Sequence, residues 1–144
     1  MNKELVRTLL IVLATLTLAA CAPRVTSPTI LSPEEGAAYA AEVDEIVENM
    51  FVGFSENDFA KYTRDIKHPL VEDYEASIRQ FADEVIVEWG AYQAKTLDHV
   101  ETQRQQQVAF YHAVFENKPD VTISVYFRID DLDYQIQGYG TEYK

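Results

Sequence analysis

The sequence predicts an α+β domain in which helices come first and cover one face of an antiparallel sheet. Three observations predict it. Apolar residues recur at helical spacing between Ser32 and Trp89; after Gly90 the spacing falls to two; and short turn signals separate the later segments. Helices followed by hairpin-linked strands give a sheet with one covered face and one free face.

The first element precedes this domain. Lys3 and Arg7 form a positive start, Leu9 to Leu18 form an apolar stretch, and small residues lead to Leu18-Ala19-Ala20-Cys21. That arrangement is a secretory signal. Its apolar stretch is about half the ~20 residues that a spanning helix requires. The last four residues resemble the bacterial lipobox. The resemblance implies cleavage before Cys21, lipidation of its thiol and acylation of the new amino terminus. Residues 1–20 are then a removed signal peptide. The expected location is the bacterial cell envelope, lipid-anchored and extracytoplasmic, and the outer membrane if the host has one, since Ala22 is not an aspartate. Cys21 is the single cysteine, so no disulfide forms within the chain.

Without Lys3, Arg7 and Glu4, the remaining 124 residues carry 10 basic and 23 acidic side chains, a net charge of −13. Nucleic acid and anionic headgroups would be repelled by that charge, so no nucleic-acid partner is expected. Residues 21–31, with Pro23, Ser27, Pro28 and two threonines, predict an extended tether behind the lipidated cysteine. Residues 32–144 form one domain.

Within the domain, Ser32, Pro33 and Glu35 start a helix as N-cap, first helical residue and capping-box partner. Tyr39, Val43, Ile46, Val47, Met50 and Phe54 form its apolar stripe, and it should end near Gly53. Ser55 to Asp58 turn the chain into a short second helix through Phe59 and Tyr62. Pro69 disfavours helix at His68. A third helix follows, with Leu70, Tyr74, Ile78, Phe81 and Val85 on one stripe and Gly90 as a left-handed cap. Strands are expected over Tyr92–Val100, Val108–Phe115, Val121–Ile129 and Tyr134–Tyr139, with turns at Asn117–Asp120 and Asp130-Asp131.

Four segments carry a family resemblance: Asn57-Asp58-Phe59, Phe81 to Trp89-Gly90, Phe110 to Glu116, and Val121 to Phe127. Over roughly residues 34–140 the chain resembles a small domain of unknown function found in bacterial and archaeal lipoproteins, built on the nuclear-transport-factor-like (cystatin-like) cone. The resemblance implies three helices against a curled four-stranded meander with a pocket at its open end. Relatives use such a pocket for isomerase or hydratase chemistry, for small-molecule binding, or as a protein interface. The fold therefore does not choose a function.

An enzyme on this scaffold would need an acid or base inside an apolar pocket. Asp65 and His68, with Tyr62 nearby, are one candidate pair, and the competing reading is a turn residue beside a surface histidine. His112 is another. It lines the interior if Val108, Phe110 and Val114 point inward, and it is solvated if Ala109, Tyr111, Ala113 and Phe115 do. Both sets are largely apolar, so the pattern leaves the two open. Asp98 and His99 are strand neighbours and should point to opposite faces. The three histidines lack metal-ligand spacing, and Asp130-Asp131-Leu132-Asp133 lacks the loop of a calcium hand. With five glycines and no phosphate-cradling loop, no cofactor or metal is expected. Thr122, Ser124 and Tyr126 alternate with Val121, Ile123 and Val125 and would make a polar-aromatic outer face, a candidate interface for a protein partner or homodimer. The leading expectation is a non-catalytic domain that binds a small apolar ligand or a protein. A pocket enzyme of lyase or isomerase type and a structural envelope component are the alternatives.

Overall fold

A computed structural model describes residues 27–142. Cys21 with its lipobox, and Tyr143, lie outside the described residues. The elements run β1 (Thr29–Ile30), α1 (Pro33–Glu56), α2 (Phe59–Thr63), α3 (His68–Trp89), β2 (Tyr92–Gln103), β3 (Gln106–Phe115), β4 (Val121–Arg128) and β5 (Ile136–Glu142). The five strands form one antiparallel sheet in sequence order, open at both edges.

The sheet has one strand more than the sequence predicts. Thr29 and Ile30, read as tether, pair with Thr102 and Glu101, and the Leu31 amide donates to the Val100 carbonyl at 2.9 Å. Two residues carry too little pattern to announce a strand. What recruits them is β2, which runs past Val100 to Gln103 and offers a free edge.

α1 begins as expected. The Ser32 amide donates to the Glu35 carboxylate at 3.1 Å, and the Glu35 amide donates to the Ser32 hydroxyl at 3.3 Å. It does not stop at Gly53 but continues to Glu56 and ends on Asn57 in the left-handed region (φ 54°). Gly53 has a packing role instead: a Cβ there would lie 2.5 Å from the Tyr62 amide nitrogen. α2 is capped by Asp58, whose carboxylate accepts from the Lys61 amide at 3.1 Å.

α3 begins at His68, and Pro69 occupies its first turn, where a missing N–H costs nothing. Tyr74 leaves the expected stripe. The helix kinks at that residue (φ −123°, ψ 16°) and turns the ring to solvent, so the buried stripe starts at Ile78 and continues through Ala82, Val85 and Trp89. Gly90 closes the helix at φ 74° and ψ −157°, an extended positive-φ conformation open only to glycine, rather than the left-handed cap. β5 starts at Ile136, two residues later than expected, because Tyr134 takes a positive φ and packs edge-on against Tyr39.

The core lies between the helices and the sheet's inner face. Ala109, Tyr111, Ala113 and Phe115 of β3 and Val121, Ile123, Val125 and Phe127 of β4 are buried there. Aromatic rings fill the space beneath α1 and α3. Phe54 meets Tyr62, Phe81 and Tyr139, and Trp89 meets Phe81 and Phe115, at centroid separations of 4.9–5.8 Å. The hydroxyls of Tyr39, Tyr62 and Tyr111 are buried without a partner among the described residues.

Candidate functional site

The interior carries no acid–base pair: no carboxyl or imidazole is buried among the described residues. The groups that burial perturbs are phenols. Loss of hydration raises Tyr39, Tyr62 and Tyr111, and it pushes Tyr139 up to about 12.

Asp65 and His68 do not form a site. His68 opens α3 with its side chain 81% exposed and 3.6 Å from the Glu72 carboxylate. Asp65 is held by the Arg64 guanidinium, whose Nε donates to both carboxylate oxygens at 3.1 Å, while its backbone carbonyl accepts from the Ile136 amide. The loop that brought the two residues together in sequence is used to fasten β5 against the chain.

His112 lies on the outer face of the sheet. Register decides it: Phe110 pairs with Ser124 and His112 with Thr122, the polar positions of β4, so the alternate residues of β3 point to the helices. Val108 is also on this outer side, and it is buried between its register neighbours Glu101 and Tyr126.

Asp98 and His99 overturn the opposite-face expectation. The β2–β3 pairing skips a residue between Leu97 and His99, a bulge that sets both side chains on the outer face. Asp98 Oδ2 lies 2.9 Å from His99 Nδ1, and Asp98 Oδ1 lies 4.0 Å from His112 Nε2. His112 Nδ1 contacts Asp120 at 3.0 Å, His99 Nε2 contacts Glu101 at 3.3 Å, and the Gln103 amide donates to Glu101 at 2.6 Å. The result is a polar chain that runs from the β3–β4 turn across two strands: Asp120, His112, Asp98, His99, Glu101, Gln103. The His99 ring stacks on Phe110 with centroids 4.4 Å apart and planes within 8°. Phe110, Val114 and Tyr126 stand half-exposed around this chain, with Thr122 and Ser124 beside them.

A second feature lies on the sheet's other side, where α1 meets β2. A groove of about 460 Å³ runs over Ala37, Ala40, Ala41, Leu97 and Tyr111, with Asp44 and Lys95 at one end. The Lys95 side chain is 9% exposed, and its ammonium pairs with Asp44 at 3.0 Å and with Glu48. Tyr92 donates its hydroxyl to Glu48 at 2.9 Å. One ammonium between two carboxylates leaves the cluster with one net negative charge, and the nearby Tyr111 hydroxyl is buried without a partner among the described residues. No sequence signal pointed to Lys95, because its partners lie 47 and more residues earlier on another element.

Among the described residues no group of three or more histidine, cysteine, aspartate or glutamate side chains could hold a metal ion. No described helix is long and apolar enough to cross a membrane. Compared with protein-family models, with curated proteins and with solved structures, the chain finds no match.

Proposed function

We propose that the chain is a lipid-anchored lipoprotein of a bacterial envelope whose domain binds a protein partner, without catalysis, on the outer face of its sheet. The anchor in this reading is Cys21, and the location is extracytoplasmic. The helices-then-meander order, with every helix on one sheet face, supports a nuclear-transport-factor-like cone whose interior its own aromatic rings fill.

The observation that carries the reading is the uncovered outer face. No described element packs on it, yet it presents Phe110, Val114 and Tyr126 around a network of Asp98, Glu101, Asp120, His99 and His112. Half-exposed aromatic rings inside a polar surround are the usual make-up of a protein interface. The three carboxylates give the face a negative bias, which selects a partner offering lysine or arginine side chains. A second copy of the same acidic chain is a poorer match.

A photo-crosslinking residue at Ser124, in the full chain in cells, tests this against the same residue at Ala76 on the exposed side of α3. The expected result is one discrete adduct from Ser124, none from Ala76, and weakening of the adduct as salt rises. Equal labelling from both sites, or an adduct of two copies, would overturn the reading.

The groove between α1 and β2 favours a second reading, a small neutral ligand. Its alanine floor suits an apolar body, and the Lys95 ammonium at one end suits a carbonyl acceptor. The lyase or isomerase alternative has no such support, because Asp65, His68 and His112 lie apart and outside the interior.

A further inference from the structure

Three segments meet at one end of the sheet. The described chain enters there at Thr29 beside Thr102, β2 turns into β3 through Arg104 and Gln105, and β4 leaves through Ile129 toward Tyr134. The Ile129 amide donates to the Gln105 carbonyl at 3.0 Å, which fixes the two loops together. This end carries most of the large apolar side chains that the fold leaves in solvent: Leu132 at 91%, Ile30 at 63% and Ile129 at 51% exposure. The opposite end, at the β3–β4 turn, shows Glu116, Asn117, Pro119 and Asp120 instead.

The geometry points to this end as the membrane-facing surface of the domain, with Leu132 and Ile129 seated in the lipid interface. The inference rests on the lipidation of Cys21. Five residues separate Cys21 from Ser27, and the six Cα-to-Cα steps between them span at most about 20–22 Å in any conformation. The bilayer is then the one apolar phase held permanently within reach of these side chains. Three scattered aliphatic residues are also far smaller than the roughly 800 Å² that a protein partner covers, whereas single loop-tip residues suit a lipid interface.

The charges of the loop set the depth. Asp130 is held by Arg128, whose Nε and Nη2 donate at 2.8 and 2.6 Å, and the guanidinium keeps its carboxyl below the usual range. Asp131 accepts from the Asp133 amide at 3.1 Å. Arg104 makes no ion pair among the described residues and stands at the turn, where a lipid phosphate can accept from it. With Asp131 and Asp133 on either side of it, Leu132 sits among the headgroups and upper acyl chains and goes no deeper.

Lipidation blocks the thiol of Cys21, so a cysteine introduced at an exposed position is the one reactive thiol of the full chain. The test uses Leu132→Cys and, as the control at the far end, Asn117→Cys, each carrying an environment-sensitive fluorophore. Both are reconstituted in phosphatidylcholine vesicles that contain spin-labelled lipid. The expected result is blue-shifted emission and several-fold stronger quenching at position 132 than at 117, falling to the control level when Ile129→Asp is added while the protein still floats with the vesicles. Protein that floats but quenches equally at both positions overturns the docking and leaves the anchor standing. Protein that does not float overturns the anchor, and the docking with it.

Discussion

The two faces of the sheet are built from the same strands, yet they differ in almost every physical respect. Toward the helices, β3 and β4 place Ala109, Tyr111, Phe115, Ile123 and Phe127, none more than slightly exposed. Toward solvent they place Phe110, His112, Val114, Thr122, Ser124 and Tyr126, each partly exposed, with His112 in contact with the Asp120 carboxylate. The hydrophobicity of β3 does not separate its faces, because both halves of its alternation are apolar. The partner strand separates them: β4 alternates cleanly, and register carries its choice across to β3. One well-patterned strand is enough to orient a poorly patterned neighbour. The inner face thus holds most of the buried side chains of these strands, and the outer face, Val108 apart, is partly exposed.

The steepest difference between the faces appears in alkali. Burial raises the phenols of Tyr39, Tyr62 and Tyr111 above the value of about 10 that they have in an unfolded chain. Their stabilising contribution is complete below pH 10. Above it the unfolded state gives up protons that the folded state retains, so stability falls as pH rises toward the folded values. Each of the three adds a slope of up to about 1.4 kcal/mol per pH unit. Urea unfolding at stepped pH should show a flat region between pH 8 and 9.5 and a steep loss beyond 10. A flat profile through pH 11 would mean that these hydroxyls are solvated.

Adjacent residues of β4 sharpen the comparison by mutation. Phe127→Ala deletes a fully buried ring that meets Tyr39 edge-on, with centroids 6.1 Å apart, and should cost about 3–5 kcal/mol. Tyr126→Ala, one residue away on the other face, should cost about 1 kcal/mol or less. Chemical denaturation of the two variants measures both. Similar losses would show that the outer face is also core and is covered in the native molecule.

How much of this was legible depends on whether the signal is local. The Ser32-Pro33-Glu35 start of α1 was readable because a capping box satisfies itself within one turn. The α+β class followed from the change of period at Gly90. The pattern ends α1 near Gly53, three residues early, since nothing nearby in sequence tells that the Tyr62 backbone presses on that glycine. β1 leaves no sequence signal because two residues have no period, and Tyr74 falls off the expected stripe because a kink shifts the stripe by a fraction of a turn. The candidate sites were less legible than the fold. Asp65 and His68 looked like a pair for being close in sequence, yet one is tied to Arg64 and the other points to solvent. Asp98 and His99 looked incompatible for being adjacent, and a single bulged residue brings them together. Thr122, Ser124 and Tyr126 were placed on the outer face from alternation alone, which is the one long-range property that a strand writes into its own sequence.

The smallest expected effect bears most directly on function. Asp98→Asn keeps the shape of the bulged residue and removes the charge that lies between His99 and His112. Both contacts are solvent-exposed, and exposed ion pairs contribute about 0–1 kcal/mol, less as salt rises. Thermal and urea unfolding of Asp98→Asn should therefore stay within about 1 kcal/mol of the parent, while the Ser124 adduct weakens markedly. A loss above about 2 kcal/mol would assign the bulge to folding rather than to binding. The bulge itself gives the reason to expect the first result. It interrupts the ladder hydrogen bonding of β2, but it turns both Leu97 and Val100 toward the helices, with Val100 buried near Gly36 of α1, and it sets Asp98 and His99 together on the face that no described element covers. The bulge therefore serves the core through its backbone, whereas the Asp98 carboxylate that Asp98→Asn removes meets only the two imidazoles of the outer face, so its loss is read in binding and not in stability.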